Sequence, residues 1–278
     1  MNRGSENHAR LLAAMLAVFL AATLLSFPRF SAASRAISDA RVIISGVYQQ
    51  DTSHDVTMRA NLEIFDNQGH GKKKKFTYRR IGSVGDGKTL VVFTDPEEIR
   101  GVALLSINRQ GVDDRQFLYT PATHRVRNVP AQDRSGRFIG SDFTYEDIAE
   151  RVLDDFTYRL LNSDETIDGH KTYKVEATPV SPARSQYKFI YYWVAQDVPV
   201  ILIGEMYDAN GQKIRILHAS DLKRESGIWG PRHTEMSSAL EATRTVLTID
   251  QVKFNTGLDE KLFTPEQLEE IGPSGSGE

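Results

Sequence analysis

The sequence predicts a mainly β chain with a few helices, its antiparallel sheet strongly curved into an incomplete barrel that the helices close. Three observations lead there. Apolar residues recur at every second position in many short runs, Gly, Pro, Asn and Asp punctuate the runs, and few segments carry a helical period. One face of a long sheet must be covered, and a few helices can shield it if it curves around them. Such a sheet either surrounds an apolar concavity suited to an acyl chain or is packed solid with its own side chains. The same residue types serve both.

At the N-terminus, Arg3 and Arg10 precede Leu11 to Phe27, a run without a charged side chain. This reads as a signal peptide over 1–33, with small residues allowing a cut as late as 36. An uncleaved membrane anchor is the alternative, and both readings place the remainder outside the cytoplasm. A single domain is expected over 37–270, followed by a flexible tail over 271–278.

Ala36 to Gln50 reads as a short helix. Val56, Met58, Ala60, Leu62 and Ile64 then alternate with more polar neighbours, as a half-buried strand requires, and Asp66, Asn67 and Gly69 supply a turn. The same pattern recurs at 74–80, 88–93, 102–107, 115–120, 171–178, 187–195, 199–208, 213–221 and 243–255, so at least nine strands are expected. Phe143 to Asp155 reads as a helix with Thr144 as N-cap, and a short last helix follows Thr264 and Pro265, with Gln267 at capping-box spacing.

Composition narrows the function. The 278 residues carry 34 Lys+Arg against 37 Asp+Glu, so no global basic field exists to hold nucleic acid. The chain contains no cysteine, which removes disulfides, thiolate metal sites, a cysteine nucleophile and a lipidated N-terminal cysteine.

Gly82 to Thr89 formally satisfies the phosphate-loop pattern, but it leads into the β-rich run TLVVF instead of a helix, so a glycine-rich hairpin is expected. The seven histidines are scattered, and the nearest approach to a metal or acid–base pair is His233 with Glu235. No Gly-x-Ser-x-Gly occurs. No cofactor is expected.

Lys72, Lys73, Lys74 and Lys75, with Arg79 and Arg80, form either a solvated hairpin rim or a basic patch for an anionic headgroup or acidic partner. Arg125 and Arg127 extend it. The candidate cavity wall is Leu104, Phe117, Tyr119, Phe138, Phe143, Ile148, Val152 and Tyr191, residues equally suited to plain core.

Four segments carry a resemblance: FTDPEEIRGVALLSI (93–107), DDRQFLYTPATHRVRNV (113–129), FIGSDFTYEDI (138–148) and FTPEQL (263–268). With them the chain resembles the outer-membrane lipoprotein-sorting protein family of LolA-like periplasmic carriers, in its broader branch. The resemblance implies a curved half-barrel closed by helices, with an apolar interior for acyl chains. It also implies periplasmic residence and transfer of a lipid or lipoprotein without catalysis. Implied partners are a resistance-nodulation-division (RND) type inner-membrane lipid exporter or an outer-membrane acceptor, with transient membrane contact. Gly101 and Gly140 are expected to permit unusual torsions, and Asp142 and Glu146 to organise the loop and helix start. A structural adaptor with a filled core, and an envelope hydrolase, are the alternatives from other classes.

Overall fold

The computed structural model describes residues 32–109 and 112–274. The leader expected over 1–33 lies outside them up to residue 31, as does the expected tail from 275. Residues 36–274 belong to one compact unit. Among the described residues, no helix is long and apolar enough to cross a membrane.

One antiparallel sheet of 13 strands carries the fold, in the order β6-β5-β4-β3-β2-β1-β13-β12-β11-β10-β9-β8-β7. The chain enters at the centre with β1 (Asp55–Phe65) and moves outward through β2 (Gly71–Ser83), β3 (Asp86–Asp95), β4 (Ala103–Arg109), β5 (Val112–Thr120) and β6 (Arg125–Asn128). It then crosses to the far edge and returns through β7 (Phe156–Ile167), β8 (His170–Pro179), β9 (Phe189–Ala195), β10 (Ile201–Tyr207), β11 (Lys213–Glu225) and β12 (Ile228–Ser238). The last strand, β13 (Arg244–Phe254), pairs with β1.

The expected incomplete barrel is corrected here. The chain is mainly β with few helices, but β6 and β7 remain separate edges, and the sheet neither closes into a barrel nor curves strongly. Strong curvature is needed only if helices are the sole cover. The largest core instead draws Val129, Phe138, Phe143 and Tyr145 from the irregular crossover between β6 and β7, beside Ala40 and Ile44 of helix α1 (Ala32–Gln49). With the crossover as a lid, the sheet need not wrap around its helices.

Alternation assigns the strand faces. Val91, Phe93, Leu104 and Leu118 face this core, whereas Leu90, Val92, Ala103, Leu105 and Tyr119 face a second one completed by Phe263 and Leu268. Strands β3 and β4 are therefore buried on both sides, which is why they read as continuous apolar runs.

Several elements differ from expectation. The helix expected over 143–155 is the single turn α2 (Tyr145–Ile148), because Ala149 is already extended and Glu150 turns inward to accept from Tyr78 Oη (3.1 Å) and Gly85 N (3.1 Å). Strand β7 directly follows that segment. Strand β12 is masked in the sequence by Gly230 and Pro231; the β12–β13 ladder begins only at His233, so the missing Pro231 N–H is not needed on that side. The last helix, α3 (Gln267–Ser274), continues into the expected tail, and Gln267 N donates to Thr264 Oγ1 (3.3 Å).

The crossover is pinned at mid-sheet. Asp142, fully buried, accepts from Thr243 Oγ1 (2.5 Å), Thr245 Oγ1 (2.7 Å) and Arg137 Nη2 (2.9 Å), while its own N–H donates to Thr245 Oγ1 (2.9 Å). Lys74 Nζ donates to Ile139 O (2.5 Å) nearby. Hydrogen bonds to a charged group contribute about 1.5–3 kcal/mol each, so Asp142→Ala is expected to lower unfolding free energy by about 3 kcal/mol in urea titration.

At the start of β1, Asp55 anchors the chain that leaves β13. Burial would raise its carboxyl pKa, but donors from Thr256, Gly257 and Leu258 hold it below the usual range. A folded pKa below the unfolded one gives stability that is present above about pH 4 and lost as pH falls through the folded value. Asp55→Asn should therefore be destabilised at pH 7, and its deficit against the unmodified chain should shrink on acidification, as measured by thermal melts from pH 7 to 3.

Candidate ligand site

Helix α1 supplies the roof. Ala40, Ile43, Ile44, Val47 and Tyr48 recur at helical spacing and face the sheet, while Val42 is exposed. Its C-terminal end is tied down by Gln50, whose Nε2 donates to Pro199 O (2.7 Å) and whose Oε1 accepts from Trp229 N (2.9 Å).

Two apolar crevices remain beneath this roof, and Tyr48 lines both. One, of about 300 Å³, lies against Met58 of β1, Trp229 of β12, and Ile249, Val252 and Phe254 at β13. The other, of about 250 Å³, is formed by Phe143, Tyr192, Ile201, Met206, Leu217 and Met236, with Asp147 and Arg151 at its polar side.

The crossover positions that polar side. Thr144 caps α2 in a reciprocal box with Asp147: Asp147 N donates to Thr144 Oγ1 (3.2 Å), and Thr144 N donates to Asp147 Oδ2 (2.9 Å). Tyr187 Oη also donates to Asp147 (2.8 Å). Glu146 accepts from Ser185 Oγ (2.5 Å) and Gln186 N (2.9 Å). Arg151 sits over the rings of Phe156 (5.4 Å) and Tyr187 (5.7 Å) and pairs with Asp147 at 3.5 Å. Burial alone would weaken its charge, but the Asp147 and Glu146 carboxylates offset this and keep the guanidinium protonated. Burial likewise pushes the Tyr48 and Tyr192 hydroxyls above the usual phenol range, so both remain neutral donors.

The expected wall residues fall into different places. Leu104, Phe138 and Phe143 join the principal core with Ile148 packed against it, and of these Phe143 also borders a crevice. Val152 borders a separate polar opening beside Gly85. Phe117 and Tyr119 lie on the opposite sheet face, beneath Phe263. Tyr191 also faces away from the principal core, packed with Phe189 (5.1 Å) and Tyr207 (5.3 Å), while its neighbour Tyr192 points inward.

The basic run is divided in the same way. Strand alternation turns Lys74, Phe76, Tyr78 and Arg80 to one face and Lys73, Lys75 and Arg79 to the other. Lys74 holds the crossover, and Arg80, 2% exposed, donates to Asp51 Oδ2 (2.8 Å) and Ser53 Oγ (2.8 Å) and lies 3.9 Å from Glu150. Lys72, Lys73 and Lys75 are exposed. Arg80 is thus a structural cation, and the six do not form one surface.

Sequence reasoning missed Tyr48, Trp229, Met206, Met236 and Arg151. Residues 199–208 read as a strand, so the alternation placing Met206 inside is visible, but nothing local distinguishes an inward residue that borders space from one that is packed.

Of the remaining motifs, Gly82–Thr89 is the β2–β3 hairpin. Gly82 has φ +90°, and a Cβ on Gly87 would fall 2.6 Å from Ile81 O. His233 approaches Asp221 (3.8 Å), while Glu235 accepts from Arg244 (3.1 Å), so the two do not converge on one target. Among the described residues, no group of three or more His, Cys, Asp or Glu is placed to hold a metal ion.

A family profile described as "Uncharacterized protein" matches residues 85–270, more than half of the chain, and the chain belongs to that family. No curated protein matches significantly. Among solved structures, one assigned as an outer membrane lipoprotein-sorting protein domain, from Vibrio parahaemolyticus, is similar at 24% identity and TM-score 0.79, covering 84% of this chain and 99% of that one. A DUF1329 family protein from Desulfovibrio piger gives the same four values. A LolA superfamily protein from Nitrosomonas europaea is similar at 20% identity and TM-score 0.67, covering 81% and 97%. At these identities the likeness establishes the fold.

Removing Arg80 leaves the Asp51 and Glu150 carboxylates without their guanidinium, so Arg80→Leu is expected to cost about 3–5 kcal/mol in denaturant titration. Lys73→Gln and Lys75→Gln should each stay within about 0.5 kcal/mol of the unmodified chain.

Proposed function

We propose that this member of the family is a non-catalytic carrier that takes an apolar lipid chain beneath α1 and passes it between partners of the bacterial envelope. The observation that carries the reading is the pair of apolar crevices meeting at Tyr48. An acyl chain entering them would exchange water for Met, Ile, Leu, Val and aromatic side chains, a transfer worth roughly 0.8 kcal/mol per methylene buried. The fold shared with a structure assigned as a lipoprotein-sorting domain supports the same direction, as does the hydrophobic leader sequence.

In this reading residues 1–33 direct export and are removed, and the domain over 37–270 works in the periplasm. Its cargo is a lipid or a lipoprotein acyl chain, received from an RND-type inner-membrane exporter or delivered to an outer-membrane acceptor. Release requires a partner or a movement of the roof, because the apolar transfer favours the bound state. A purely structural adaptor would need neither crevice.

Filling the crevices tests the reading. Leu217→Trp and Ile249→Trp each add volume facing the space, and each is expected to weaken binding of a fluorescent acyl probe at least tenfold, equivalent to about 1.4 kcal/mol, with the melting temperature maintained. Failure of the gently purified chain to carry any lipid in native mass spectrometry, together with no acyl-probe binding, would remove the proposal.

A further inference from the structure

Arg151 stands at a junction. Besides the crevice of Met206 and Met236, it borders an opening toward Arg134 and Arg184 and another toward Arg41 and Ser83. Its side chain is 17% exposed and makes one ion pair among the described residues, at 3.5 Å, longer than a strong charged hydrogen bond. That partner, Asp147, is already engaged by Thr144 and Tyr187, and neighbouring Glu146 by Ser185 and Gln186. The guanidinium is therefore only partly compensated.

Tyr48 and Tyr192 border the same crevice, and neither hydroxyl forms a hydrogen bond among the described residues. Neither hydroxyl is sealed off from solvent, so each opens to the crevice and is available to whatever occupies it. Two such donors beside an under-compensated cation fit an acceptor that arrives with a ligand. The space admits little else: about 250 Å³ is at or below the lower end of small-molecule sites, room for one narrow chain rather than several.

We infer that the crevice binds an amphiphile with a single apolar chain and an oxyanion head, the chain against Met206, Leu217 and Met236 and the head on Arg151 between Tyr48 and Tyr192. This rests on the carrier reading and adds the class of cargo. A carboxylate or a phosphate presents the same chemistry to a guanidinium fork and two phenols.

Dissociation constants for hexadecanoate, hexadecyl phosphate and hexadecanol, each below its aggregation concentration, test the inference. The full chain is expected to bind at least one anion at least tenfold more tightly than the alcohol, and the tighter anion identifies the head. Arg151→Met should bring the tighter anion to within about twofold of the alcohol. The double variant Tyr48→Phe, Tyr192→Phe loses no hydrogen bond within the chain, so it should remain folded and reduce the anion preference at least threefold. Equal binding of anions and alcohol by the unmodified chain overturns the oxyanion head but leaves the carrier reading standing, as does a preference that survives in the double variant. Absence of binding by all three probes overturns both.

Discussion

Asp142 holds the crossover against β13, and the rest of the molecule follows from what that contact permits. The chain builds its sheet outward from β1 to one edge and must then reach the other edge to begin β7. The segment making that passage lies across a sheet face. Fixing it at mid-sheet through a buried carboxylate turns a long connection into a lid, with Phe138, Phe143 and Tyr145 aimed at the strands below. Helix α1 covers further sheet, and the crevices form beneath it. One, at Phe143, adjoins the crossover; the other faces β1, β12 and β13.

The same architecture concentrates polar groups where an apolar core would ordinarily exclude them. Arg80, Asp51, Glu150 and Tyr78 form one largely buried set, and Arg151, Asp147 and Tyr187 another. Glu150 shows the tension: burial pushes its carboxyl upward, while Arg80, Gly85 and Tyr78 act to stabilise the anion. Buried ion pairs add little net stability compared with well-packed apolar side chains, so their value lies in fixing one arrangement of the crossover. The first set ties the loop after α1 to β2 and to the end of the crossover. The second leaves Arg151 at the edge of the space under the roof.

Much of the strand pattern was legible because period-two alternation is a local property. Met58, Leu62 and Ile64 announce β1, and TLVVF and VALLSI announce strands buried on both faces. The glycine-rich hairpin was legible from its context, since Thr89 leads into a strand. The openness of the sheet was not, because it depends on an irregular segment serving as cover. The site was less legible still. Phe117 and Tyr119 have the same chemistry as Phe138 and Phe143, yet register turns them to the opposite core. Tyr191 and Tyr192 are adjacent and identical, and a single residue of register decides which one faces the crevice. Lys72 to Lys75 read as one charge block, but a strand sends successive side chains to opposite faces.

In the proposed carrier an acyl chain lies beneath α1, between Tyr48 and the strands. The most direct test of this placement is a crystal structure of the protein with 16-bromohexadecanoate, in which anomalous scattering locates the chain end. Bromine density is expected inside the crevices bordered by Tyr48. Bromine density confined to the opposite face, at Phe189, Tyr191 and Tyr207, would contradict it.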